Sequence, residues 1–113
     1  MDCLFCKINK REISADIIYD DSEVLAFRDI NAQAPTHVLV IPKKHIATID
    51  DANAADAALL GKLVLVAQKI ARDLGLADNG YRLVFNVKDY GGQEIYHIHL
   101  HILGGRQMAW PPG

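Results

Sequence analysis

The stretch Tyr96-His97-Ile98-His99-Leu100-His101-Ile102-Leu103 constrains this chain more than any other. Histidine and aliphatic residues alternate, and a period of two is the mark of a β-strand. On such a strand His97, His99 and His101 share one face, while Ile98, Leu100 and Ile102 share the other. The aliphatic face has to be covered by other apolar residues, so the strand belongs to a sheet with a packed layer beside it. With five histidines in 113 residues, chance produces such a triplet in roughly one chain in a hundred. The imidazole face therefore needs its own explanation.

The covering layer is legible upstream. Leu59, Leu60, Leu63, Val64, Ala67, Ile70, Ala71 and Leu74 recur at spacings of three and four, which predicts an amphipathic helix over 53–74. Asn53 or Asp56 can cap its start and Gly75 can stop it. Residues 15–21 and 23–30 read as a hairpin turning at Asp20, Asp21 and Ser22. Residues 36–45 read as a third strand, preceded by Pro35 and ended by Pro42; 81–88 read as a fourth and 95–103 as a fifth, with 89–94 a glycine-containing loop. Residues 2–12 read as a short helix capped by Asp2, with Leu4, Phe5 and Ile8 on one side. The tail 104–113 is rich in Gly and Pro. Five short strands and one long helix indicate an α+β domain over 1–113, with a mainly antiparallel sheet.

Charge and hydropathy exclude several classes. Twelve basic against 14 acidic residues leave a formal charge of −2, which gives no basic footprint for nucleic acid beyond the local pair Lys43 and Lys44. No apolar run approaches the ~20 residues of a membrane span, and the charged start MDCLFCKINKREISAD lacks the apolar stretch of a signal peptide. The expected compartment is the cytoplasm. There Cys3 and Cys6 are thiols or metal ligands rather than a structural disulfide. Their C-x-x-C spacing fits zinc or redox chemistry, and two histidines would have to complete a tetrahedral zinc site.

Three readings of the histidine face stay open on spacing alone. H-x-H with a third histidine suits Zn²⁺. A neutral imidazole can attack an electrophilic phosphorus or carbonyl at pH 7. A polar sheet face without chemistry is the third. Gly91-Gly92-Gln93 precedes the strand; consecutive amides there can form an anion nest or an ordinary turn. Asn86, unusual on a strand, can donate an amide hydrogen bond into the same place. His37 opens the third strand and His45 follows it.

HIHLHIL matches the signature of the histidine triad (HIT) superfamily, and FRDINAQAPTHVLVIPKKHI, GGQEIYHIHLHILGGRQM and WPPG resemble its Hint branch over nearly the whole chain. The resemblance implies a homodimer of α+β subunits whose sheets join, acting on the P–N bond of purine nucleoside phosphoramidates and releasing AMP or GMP. It implies that His99 is the nucleophile of a nucleotidyl-histidine intermediate, that His101 contacts the α-phosphate, and that His37 orients and polarises His99. Asp29 would bind the ribose hydroxyls, and Phe27 and Ile30 the purine. Asn86, Gly92 and Gln93 would sit at the phosphate. Trp110 would reach toward the partner's site, or simply pack at the interface. No cofactor is required for the reaction.

This chain departs from the pattern at Glu94, where many Hint proteins carry a serine that contacts the phosphate or the leaving group. It also departs at Arg28 and Ala109, where familiar members carry histidine. Some bacterial members that begin with C-x-x-C bind zinc, and the matching ligands here are Cys3, Cys6, His45 and His97. Two other functions fit the superfamily: hydrolysis of dinucleoside polyphosphates, as in the Fhit branch, and a nucleotide- or zinc-binding interaction module with little turnover.

Overall fold

A computed structural model describes residues 2–113; Met1, the first position of the expected domain 1–113, lies outside them. The elements run α1 (Leu4–Asn9), β1 (Ile17–Asp20), β2 (Val24–Arg28), β3 (Thr36–Pro42), α2 (Ala57–Asp73), β4 (Arg82–Phe85), α3 (Lys88–Gly91) and β5 (Leu100–Gly104). The strands form one sheet in the order β1-β2-β3-β5-β4, and every neighbouring pair is antiparallel. The α+β architecture read from the sequence is the observed one. Among the described residues no helix is long and apolar enough to cross a membrane.

Each face of the sheet has its own apolar layer. Val24, Ala26, Val38, Val40, Ile98, Leu100 and Ile102 pack against Leu63, Val66, Ala67, Ile70 and Ala71 of α2. Burying each large aliphatic side chain contributes about 1.5–3 kcal/mol before entropy is counted. Leu25, Phe27, Leu39 and Ile41 face the other way, where Cys3, Phe5 and Ile8 of the α1 segment cover them. The second layer is small, and α1 shares that face with the imidazoles.

The boundaries differ from expectation for local reasons. The helix cap at the N-terminus is Cys3, whose Sγ accepts from the Cys6 amide at 3.4 Å, and not Asp2. The third strand ends at Pro42, the proline expected to stop it, and does not run on to residue 45. The fifth starts at Leu100 rather than 95, and the two limits have one cause. Val40 pairs with Leu100, so the next ladder step would set Pro42 against Ile98, and proline has no amide to donate. The Ile98 amide turns instead to the Ile46 carbonyl at 2.8 Å. The alternation of faces survives, since Ile98 still enters the α2 core.

In the long helix, residues 54–56 form a separate 3-10 turn closed by an Asn53–Asp56 capping box, and α2 proper begins at Ala57. Gly75, at φ +77°, ends it as expected. Val66 takes the place in the apolar stripe expected for Val64, which is exposed. The fourth strand spans only Arg82–Phe85 instead of 81–88, leaving Asn86 just past its end. The single-turn α3 begins at Lys88 and runs into the expected loop 89–94, where Gly92 caps it in the left-handed region at φ +79°.

Candidate functional site

The small layer under α1 does not close the sheet face. A cavity of about 570 Å³ opens beside it. Phe5, Ile8, Phe27 and Leu39 make its apolar wall, with Leu4, Ile13 and Ile30 also lining it. His37, His99, His101, Asp29, Asn86, Gly92 and Glu94 supply its polar side. Phe27, Asp29, Ile30, Asn86, Gly92 and Glu94, all singled out in the sequence, thus line one cavity with three of the five histidines. A second cleft of about 630 Å³ is lined by Arg82, Arg106 and Met108 among others, and no histidine or cysteine reaches it.

Two expected residues are not in the cavity lining. Gln93 is buried and its amide is spent internally: Oε1 accepts from Lys88 N–H at 3.0 Å, and Nε2 donates to the Ala47 and Ile95 carbonyls at 2.8 and 3.1 Å. The anion nest fails for a related reason. The Gly92 and Gln93 amides donate to the Asp89 and Lys88 carbonyls and so close α3. Trp110 lies in the exposed tail, which Arg82 Nη2 ties to β4 through the Ala109 carbonyl at 2.8 Å.

Hydrogen bonds fix the tautomers of the cavity histidines. The Gln33 amide donates to His37 Nδ1 at 3.0 Å, so the proton of neutral His37 is on Nε2. That N–H donates to His101 Nδ1 at 2.9 Å, which leaves the His101 proton on its own Nε2. His101 Nε2 is the one buried side-chain nitrogen or oxygen among the described residues without a hydrogen-bond partner. A buried donor without a partner beside a cavity is a demand for an acceptor there. His99 has the opposite polarity. Its Nδ1–H donates to the His97 carbonyl at 2.8 Å, leaving Nε2 as the lone pair. The rings of His99 and His101 are 4.9 Å apart, so a base and a donor stand side by side.

The resemblance implied that His37 orients His99; the ring it is hydrogen-bonded to is that of His101. The strand register explains it. His37 faces Leu103 across the ladder and His101 faces Leu39, so His101 is the diagonal neighbour of His37 and His99 lies beyond it. The Phe5 ring meets His99 edge-on at 5.1 Å, a contact nothing in the spacing announced. Gln33 was also missed, since a backbone amide leaves no trace in composition.

Burial lowers the pKa of His37, opposed by Asp29. Burial also lowers that of His99, opposed by the His97 carbonyl, Asp29 and Glu94. His101 is pushed down to about 4 by burial and then by the charges that His99 and His37 would carry. All three are thus neutral at pH 7. A depressed histidine pKa stabilises the fold where the group is neutral in both states. That contribution is complete above the ordinary value near 6.5 and is lost as pH falls toward 4. Replacing His101 with Gln, which keeps a donor but cannot titrate, should flatten the fall in melting temperature between about pH 6.5 and 4. A fall as steep as the parent's would show that acid acts elsewhere.

Cys3, Cys6, His45 and His97 converge behind the wall. Their four donor atoms lie within 4.8 Å of one another. Cys3 Sγ and Cys6 Sγ are 3.4 and 3.6 Å from His97 Nδ1, Cys6 Sγ is 3.4 Å from His45 Nδ1, and the two Nδ1 atoms are 3.1 Å apart. The edges of a tetrahedron with Zn–S and Zn–N bonds of ordinary length are about 3.3–3.8 Å. His97 Nε2 donates to the Pro42 carbonyl at 2.7 Å, which turns the Nδ1 lone pair toward the cluster. The donor set and its spacing fit a closed Cys₂His₂ metal site.

A family model for the HIT domain matches residues 10–108. The chain is 54% identical over 112 residues to an uncharacterised HIT-like protein of Synechococcus elongatus, covering 99% of this chain and 97% of that one. It is 52% identical over 106 residues to the purine nucleoside phosphoramidase of Escherichia coli, covering 94% of this chain and 89% of that one. In structure it is similar to a HIT family hydrolase of Legionella pneumophila, with a TM-score of 0.98 and 62% identity over 99% of this chain and 100% of the other.

Proposed function

The chain belongs to the HIT domain family, and from that premise we propose that it hydrolyses the P–N bond of purine nucleoside phosphoramidates. The observation that carries this reading is the opposed pair in the cavity: a lone pair at His99 Nε2 beside an unpartnered N–H at His101 Nε2. The first is a nucleophile for phosphorus, and the second is a donor for a phosphoryl oxygen. Similarity to a purine nucleoside phosphoramidase supports the substrate class.

In the first step the His99 Nε2–P bond forms as the P–N bond breaks, and the leaving nitrogen takes up a proton from solvent and departs as the amine. His99 then carries a positive charge, which the His97 carbonyl at Nδ1 favours. Charge gathering on the phosphoryl oxygens is met by His101 Nε2–H, held in its tautomer by His37. Water then attacks phosphorus and gives up a proton to solvent, which returns the one taken up in the first step; the His99–P bond breaks, His99 is again neutral, and a nucleoside monophosphate leaves. The apolar wall at Phe5 and Phe27 suits a purine, and the Asp29 carboxylate suits a ribose diol.

Zn²⁺ at Cys3, Cys6, His45 and His97 is proposed as structural. When bound it fastens α1 to the segment carrying His97, and no step of the reaction runs through it. The active unit is proposed to be a homodimer. The free outer edge of β4 offers a place for the sheets to join, with Trp110 of the exposed tail reaching toward the partner's site.

The test is AMP release from an adenosine phosphoramidate and from a diadenosine polyphosphate. Faster cleavage of the phosphoramidate is expected. Preference for the polyphosphate would move the chain to the Fhit type of reaction, and AMP binding without turnover would make it a binding module.

A further inference from the structure

The cavity contains a charge that phosphate chemistry does not call for. Among the described residues its lining includes one cation, Arg28, and two carboxylates, Asp29 and Glu94. Arg28 is already engaged, with Nε 3.4 Å from the Asp16 carboxylate. Asp29 accepts the Asn31 amide through Oδ1 at 2.9 Å and lies 3.5 Å from His37 Nε2. Glu94 is exposed, and among the described residues it forms no ion pair. Two carboxylates against one cation leave the charged side chains around the site that receives an anionic phosphoryl group with a net negative charge.

A nucleoside phosphoramidate brings one further negative charge. Two like charges in a partly exposed cleft repel, and the repulsion disappears when the incoming molecule carries its own cation near the carboxylate. That cation belongs to the leaving group. The purine is accommodated by the apolar wall, and the phosphorus has to sit at His99 Nε2. Glu94 lines the same cavity as His99 and is exposed to solvent, so it is within reach of a departing amine that extends out of the cavity.

Resting on the phosphoramidase reading, we infer that Glu94 selects leaving groups bearing a second, protonated amine a few carbons from the scissile nitrogen. The preferred substrates are zwitterions: a phosphoramidate anion and a distal ammonium in one molecule. Glu94 is a specificity residue here. It neither attacks phosphorus nor transfers a proton, and it favours the complex with a cationic leaving group over one with a neutral or acidic group.

The experiment compares kcat/KM for three adenosine phosphoramidates that differ only at the far end of the amine: butylamine, a diaminobutane and an aminobutyrate. The parent protein should prefer the diamine over butylamine by about tenfold, equivalent to ~1.4 kcal/mol, and should disfavour the aminobutyrate by a similar factor. Glu94→Gln should bring all three within about twofold of one another, and Glu94→Asp should restore the order. Added salt should compress the parent's preference. An order that survives in Glu94→Gln, or a parent without charge preference, would overturn this inference alone. If no compound is turned over by either form, the phosphoramidase reading falls and this inference with it.

Discussion

Replacing His99 with Ala should reduce kcat for an adenosine phosphoramidate by about a thousandfold or more, while AMP affinity changes only a few-fold. The nucleophile is lost outright, and water would have to attack phosphorus unaided. The fold should tolerate the change. Among the described residues neither His99 ring nitrogen holds another side chain, and its one hydrogen bond is to the His97 carbonyl. Replacing His101 should be milder, about a hundredfold, because one donor to the phosphoryl oxygens is lost while the nucleophile remains. If His99→Ala kept near-parent turnover, covalent catalysis at this residue would be wrong whatever the substrate.

The second large effect is on stability. Purified without chelator, the protein should contain about one zinc per chain. Stripping it, or changing Cys6 to Ala, should lower the melting temperature by roughly 10 °C or more, reflecting a few kcal/mol. The donor geometry gives the reason. Without a metal, two thiols and two imidazoles crowd within 4.8 Å, with His97 fully buried. The loss should be felt in the cavity, since Phe5, between the two cysteines in sequence, touches both His97 and His99. A protein free of metal, with a melting temperature indifferent to Zn²⁺ and to Cys6→Ala, would exclude the site.

How far the sequence reaches depends on the distance over which each interaction acts. Period-two alternation at 97–102 placed Ile98, Leu100 and Ile102 under the long helix, because the face of a strand residue is a local property. The stripe at Leu63, Ala67, Ile70 and Ala71 was legible for the same reason. The strand limits were legible only where a proline sets one, at Pro42. The start of β5 was not, because it depends on the register that puts Pro42 opposite Ile98. The partner of His37 depends on that register too. The lost anion nest is a question of hydrogen-bond competition: Gly92 and Gln93 have suitable amides, but α3 uses them first. The gathering of Cys3 and Cys6 with His45 and His97 joins residues up to 94 positions apart, and only a family resemblance could propose it.

The central claim is that His99 carries the nucleotidyl group. The most direct measurement is acid- or base-quenched single turnover with excess protein and an adenosine phosphoramidate, followed by peptide mass analysis. The expected result is an adenylyl group on the peptide containing His99, localised to that residue, appearing before AMP and decaying as AMP accumulates. It should be absent in His99→Ala and persist longer in His101→Gln if His101 also assists the hydrolytic step. AMP formed at the full single-turnover rate with no adduct at any time point, or an adduct mapping to His101 or His37, would contradict it.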